Sequence, residues 1–169
     1  MIKVVIYVAH YDTNNVVKII GDNSIIIDIF PEAQNNIFFY RQTLLSHSES
    51  GGLLLGYENA TTKNLTVSAT TVPQIEDIRS RCRLKLSSLH FNHTITIKKP
   101  YGYIGTWHTH PTAIPTPSSV DLKDWSECIK ANKNKTEHLI FIIAGTEEFR
   151  VWVANCNTGI IKEGRVINE

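Results

Sequence analysis

Three prolines, Pro111, Pro115 and Pro117, fall within seven residues, between a strand-like run and a helix-like run. Proline fixes φ and removes a backbone donor, so neither a sheet ladder nor a helix interior passes through such a stretch. One element must therefore end near His110 and the next must begin near Ser118. The preceding "YGYIGTWHTH" is a strand by residue type. "SSVDLKDWSECIKAN" carries Val120, Asp121, Asp124, Trp125 and Cys128 at helical spacing, with serines available as N-cap. Polar side chains stand at both ends of this strand–turn–helix unit.

The remaining elements follow from pattern and punctuation. "IKVVIYV" and "SIIIDIF" read as strands, separated by turn-rich words. Pro31 suits a first helical position, and Ile37, Tyr40, Arg41, Leu44 and Leu45 predict a helix from 31 to about 46. "SGGLLLGYE" has the short apolar core of a buried strand, "NLTVSATTV" is the next strand, and Pro73 ends it. Residues 73–100 read as an insertion or a long functional loop with some structure of its own. "HLIFIIAG" and "EFRVWVAN" are two strands joined by a tight turn. This order predicts an α/β fold, a mixed β-sheet flanked by helices, within a single domain spanning 1–169.

Composition narrows the function classes. Lys and Arg total 17 against 16 Asp and Glu, a net charge of +1, which argues against a broad nucleic-acid footprint. No apolar run approaches the roughly 18 residues of a membrane helix. The N-terminus, broken by Lys3 and without a small-residue cleavage site, reads as a strand and not as a signal peptide. Cys82, Cys128 and Cys156 are odd in number and lack C-x-x-C spacing. They fit a reducing, cytoplasmic setting and read as core thiols.

The chemistry concentrates around the prolines. Residues two apart on a strand face the same way, so His108 and His110 project together as a two-point metal clamp. Ser118 and Asp121 share one helical face. Two histidines and one carboxylate leave a fourth tetrahedral position open, as in a catalytic zinc site. The prolines stiffen the link between these ligands. A base is also required, and no Glu lies between His108 and Asp121. Glu49, beside the glycines of "ESGGLLLG", is the leading candidate, against the plainer reading of an exposed carboxylate after a helix. H-x-H pairs also occur in cupins and metallo-β-lactamases. "PTAIP" lacks the Glu that a cupin needs, and no Asp-His follows as in a metallo-β-lactamase.

"ESGGLLLG" followed by "HTHPTAIPTPSSVD" resembles the JAMM (MPN+) zinc metallopeptidase family, whose signature is an upstream Glu and then H-x-H, seven residues, Ser, two residues, Asp. The likeness covers roughly residues 31–155. It implies a fold like that of the cytidine deaminases, with Zn2+ held by His108, His110 and Asp121. By the same resemblance Glu49 activates water and passes its proton to the leaving amine, and Ser118 donates a hydrogen bond to the oxyanion. The implied reaction is hydrolysis of the amide or isopeptide bond after a ubiquitin-like tail. The words "YRQ", "DIRSRCR" and "YIGTWHTHP" are similar to the bacterial JAMM subgroup found beside E1- and E2-like proteins in anti-phage CBASS operons. That subgroup frees a CD-NTase nucleotidyltransferase from its conjugated partner. The alternative is a family member that processes a sulfur-carrier protein in cysteine or cofactor biosynthesis.

Other polar residues have plainer readings. Asp124 and Glu127 suit a helix surface, and Trp107 and Trp125 a core or cleft wall. His90 and His93 are three apart, but no carboxylate stands at ligand spacing. Arg79, Arg81, Arg83 and Lys85 alternate, which on one strand makes a single basic stripe. It reads as a solvated face or as a grip on a partner's acidic surface.

Overall fold

In the computed structural model, residues 17–20, 25–96 and 101–166 are described, with side chains over 25–92 and 101–165. The chain runs β1 (Val17–Ile20), β2 (Ile26–Ile29), α1 (Pro31–Phe39), β3 (Gly51–Glu58), β4 (Leu65–Thr70), β5 (Ile78–Ser80), β6 (Arg83–Lys85) and α2 (Leu89–Thr96). It continues through β7 (Gly102–Thr109), α3 (Ser119–Asn132), β8 (His138–Ala144), β9 (Phe149–Asn155), β10 (Ile161–Glu163) and β11 (Arg165–Val166). Nine described strands form one sheet in the order β10-β9-β8-β7-β3-β4-β2-β1-β11, and β5 and β6 make a separate hairpin. The pairs β2–β4 and β7–β8 are parallel and their neighbours antiparallel. This is the mixed α/β sheet that the sequence predicts.

All seven residues of β8 are buried. Ile140, Ile142 and Ala144 face a core shared with Ala33 and Ile37 of α1. Leu139, Phe141 and Ile143 pack on the other side with Trp125 and Ile129 of α3. A strand covered on both faces reads as a continuous apolar run, as "HLIFIIA" does. Burying each such side chain stabilises the fold by roughly 1.5–3 kcal/mol. Parallel pairing of β7 with β8 requires a crossover, which α3 supplies. The crossover brings the start of α3 back beside the end of β7.

One local expectation changes. The helix from Pro31 stops at Phe39, not near Ser46. Leu44 and Leu45, whose spacing suggests more helix, are 59% and 85% exposed and gain nothing from a helical face. Segment 73–96 has structure of its own, as the sequence suggests. It contains β5, β6 and α2, and Leu86 packs over Leu53, Leu55 and Ala69. The expected strand "IKVVIYV" lies outside the described residues, as do 97–100 of the insertion-like segment.

Gly105 in β7 has φ +148, and a Cβ there would lie 1.7 Å from the Ile140 carbonyl oxygen of β8. Gly105→Ala is expected to cost at least about 1 kcal/mol, read as a lower urea midpoint at unchanged slope.

Candidate active site

The β3–β7 ladder sets the site. Gly51 pairs with His108, so continuing the antiparallel register places Ser50 opposite Thr109 and Glu49 opposite His110. Hydrogen bonds extend the ladder past the strand end: Thr109 N–H donates to Ser50 O (2.9 Å), and Ser50 N–H donates to Thr109 Oγ1 (2.9 Å). Thr109 therefore turns away from the histidines and buttresses them from behind. A Cβ on Gly51 would lie 2.4 Å from Leu84 and 2.6 Å from the Trp107 carbonyl. The glycine keeps the carboxylate strand close to the histidine strand.

From the other side, α3 delivers Asp121. Ser118 is the N-cap, with the Asp121 N–H donating to Ser118 Oγ (3.2 Å) and the Ser118 N–H donating to Asp121 Oδ2 (2.6 Å). This reciprocal capping box fixes both side chains. The Ser118 hydroxyl accepts the Asp121 N–H here and also hydrogen-bonds the Asp121 carboxylate. The proline-rich turn between β7 and α3 rests on the β8–β9 turn. Thr146 N–H donates to Thr112 O (2.8 Å), and Gly145 leaves room for the Thr112 and Ala113 carbonyls.

The structure brings four of the five sequence-nominated side chains to one point. His108 Nε2 lies 3.1 Å from His110 Nε2 and 3.1 Å from Asp121 Oδ1, and His110 Nε2 lies 3.3 Å from Asp121 Oδ2. The ligand atoms of Glu49, His108 and His110 fall within 4.8 Å of one another. Ligands about 2.0–2.1 Å from a tetrahedral zinc are separated by roughly 3.3 Å, so the donor spacing fits such an ion. Ser118 is the fifth residue, joined through Asp121.

The two carboxylates experience different fields. Burial pushes the Glu49 carboxyl above its ordinary value, against the charges of His108 and His110, which pull it down, while Asp121 adds a further push up. Burial also pushes Asp121 up, but hydrogen bonding to His108 and His110, the His108 charge and Ser118 outweigh it, holding Asp121 well below the carboxylate range. One carboxyl is thus suited to carrying a proton and the other to remaining an anion.

A cavity of about 320 Å³ opens beside the cluster, lined by Glu49, Leu84, Leu86, His108, Asp121 and Trp125, among others. Asp124 and Glu127 are on the helix surface and also on this wall. Burial, Glu127 and Asp121 together push the Asp124 carboxyl up. Trp107 and Trp125 are both buried and wall-forming. Cys128 is there too, but burial pushes its thiol up, which disfavours a thiolate nucleophile. Cys82 is exposed at the hairpin turn, so it is not a core thiol.

Several interactions have no local sequence signal. His90 is fully buried with Asp77, whose two carboxylate oxygens lie 3.0 Å from Nε2, while Nδ1 meets Thr71 Oγ1 at 2.6 Å. The carboxylate partner, thirteen residues upstream, clasps the insertion to the sheet. His93 has no described side chain. The basic alternation does not form one stripe, because a turn at Arg81–Cys82 breaks it into β5 and β6, and Arg79 pairs across the hairpin with Leu84. A second group brings together Glu58, Glu137 and His138, with the Lys63 ammonium 3.6 Å from Glu58 and 3.0 Å from Glu137 and His138 Nδ1 3.1 Å from Glu58 Oε2.

With this geometry in place, the likenesses to other proteins can be stated. Residues 32–155 match the family of prokaryotic homologs of the JAB domain. The chain belongs to the prokaryotic JAB family. A CD-NTase/cGAS isopeptidase of Escherichia coli (strain TW11681) is 31% identical over 137 residues, covering 78% of this chain and 81% of that protein. Another, from Vibrio cholerae serotype O1, is 28% identical over 133 residues, covering 76% and 81%. The solution structure of a protein from Desulfitobacterium hafniense shares the JAB-type fold, with TM-score 0.52 at 16% identity over 81% of this chain and 88% of that one. No helix among the described residues is long and apolar enough to cross a membrane.

The raised Glu49 carboxyl has a stability consequence in the metal-free protein. The folded state holds this proton more tightly than the unfolded chain, so stability falls as pH rises from about 4.5 through the folded value. Metal-free Glu49→Gln is expected to be more stable than wild type at neutral pH, with the difference vanishing below pH 4.5. Urea titrations at the two pH values check it.

Proposed function

We propose that this chain is a zinc-dependent isopeptidase that hydrolyses the amide bond following the C-terminal tail of a ubiquitin-like protein or a bacterial conjugate. The convergence of His108, His110 and Asp121 beside a buried Glu49, whose carboxyl burial pushes up, carries this reading. The names of the two relatives favour deconjugation of a CD-NTase in anti-phage CBASS defence over processing of a sulfur carrier. On this reading residues 1–169 act as one catalytic domain in the cytoplasm, supplied with conjugates by E1- and E2-like proteins.

His108, His110 and Asp121 would hold the Zn2+. When bound, zinc supplies Lewis acidity that polarises the scissile carbonyl and makes water a nucleophile near neutral pH. Glu49 takes the proton of the attacking water as its oxygen bonds to the carbonyl carbon. The Ser118 hydroxyl, held at the start of α3 beside Asp121, donates to the oxyanion. As the C–N bond breaks, Glu49 returns the proton to the departing nitrogen, giving a carboxylate-ended tail and a free amine. A carboxyl raised by burial suits both transfers.

The test uses a CD-NTase joined through its C-terminal carboxyl to a lysine, as purified substrate. Glu49→Gln is expected to keep zinc and lose about 100- to 10,000-fold in kcat, and Asp121→Ala to lose zinc and turnover together. Metal analysis and single-turnover cleavage read these outcomes. Wild-type cleavage rates in Glu49→Gln, or in fully chelated protein, would sink the mechanism.

A further inference from the structure

The backbone that carries Glu49 belongs to no regular element, yet it is held on both sides by the β5–β6 hairpin. Glu49 N–H donates to Ser80 O at 2.7 Å. Arg79 Nε donates to Glu49 O at 2.7 Å, and Arg79 Nη2 donates to Ser50 Oγ. One guanidinium therefore grips consecutive residues of the loop that presents the carboxylate. It is half-buried and makes no ion pair with a described carboxylate, so its donors are committed to this loop.

A second clasp meets the first. Gln42 is 2% exposed. Its Nε2 donates to Arg81 O (2.7 Å) and His47 O (3.2 Å), and its Oε1 accepts from Thr109 Oγ1 (3.0 Å). Thr109 lies between the two histidines. Gln42 thus ties the hairpin turn, the Glu49 loop and the histidine strand through three contacts. Arg81 adds hydrogen bonds to Leu44 O (3.3 Å) and Leu45 O (2.8 Å). The words "YRQ" and "IRSR", which the catalytic constellation leaves unused, are two halves of one clasp.

We infer that Arg79 is a positioning residue for Glu49, making the hairpin of the insertion a working part of the catalytic centre. This rests on the proposed role of Glu49 as base. Planarity and two correctly placed donors are what the grip needs, and lysine offers neither. The hairpin also carries Leu84, which lines the substrate-sized cavity. The same short element therefore shapes the cleft and sets the base.

Arg79 also borders a second cavity, of about 460 Å³, on the outer side of the loop, with Arg41, His47, Ser48 and Ser50. That opening makes chemical rescue practical. The experiment compares wild type, Arg79→Ala, Arg79→Lys and Glu49→Gln, each loaded with zinc, on the conjugate substrate. Arg79→Ala is expected to lose about 100-fold in kcat, the scale of a small misplacement of a catalytic group. KM, zinc content and melting temperature stay near wild type. Methylguanidinium restores part of the loss in Arg79→Ala and none in Glu49→Gln, and Arg79→Lys recovers little. Wild-type kcat in folded Arg79→Ala overturns the inference, as does a loss carried by KM alone or one that tracks the unfolded fraction without rescue. An active Glu49→Gln would instead remove the base assignment itself.

Discussion

The antiparallel register between β3 and β7 is the constraint on which the site depends. Side chains alternate strictly along a strand, so a slip of one residue would turn His108 away from the cavity and bring Thr109 toward it. Gly51 opposite His108 pins the alignment. A larger residue there would collide with the Trp107 carbonyl and with Leu84. Fixing this one pairing places the Glu49 loop, the two imidazoles and the buttressing Thr109 together. The second fixed distance comes from the crossover. Once β8 lies parallel to β7, the start of α3 is confined beside the end of β7, and its capping box orients Asp121.

The site then exploits unequal burial and pairing. Two carboxylates within reach of the same imidazoles have their proton affinities driven apart: burial dominates for Glu49, and histidine contacts dominate for Asp121. The opposite shifts of the two carboxyls follow from placement, since Glu and Asp differ little in water. This placement also has a cost in stability, which buried ionisable groups impose wherever they are kept for chemistry.

Much of this was legible in the sequence because its signals are local. Pro111, Pro115 and Pro117 marked the break between strand and helix, and the spacing of His108, His110, Ser118 and Asp121 lies within that unit. The mixed sheet could be read because strands such as "HLIFIIA" are short, apolar and bounded by turn residues. What stayed hidden was long-range. Arg79 meets Glu49 thirty residues away, and Gln42 meets Thr109 across 67. No period or spacing encodes either pairing. The end of α1 at Phe39 departs from the local pattern for a related reason. Leu44 and Leu45 keep a helical spacing, but the loop they occupy is held by side-chain contacts to the hairpin, and tertiary bonding outweighs a weak local preference.

The order of the strands also bears on how copies of this chain coexist at high concentration. The most apolar strands, β8, β3 and β4, are interior to the sheet, and its described flanks end on β10 with three residues and β11 with two. An unpaired strand edge is a template for another chain, and its danger grows with length and apolar character. Placing the shortest strands outermost leaves few backbone donors and acceptors for such pairing. Lys162 and Glu163 on β10 add charge at one flank. Among the described residues, the apolar sheet that holds the cleft in register thus exposes little edge that could template aggregation.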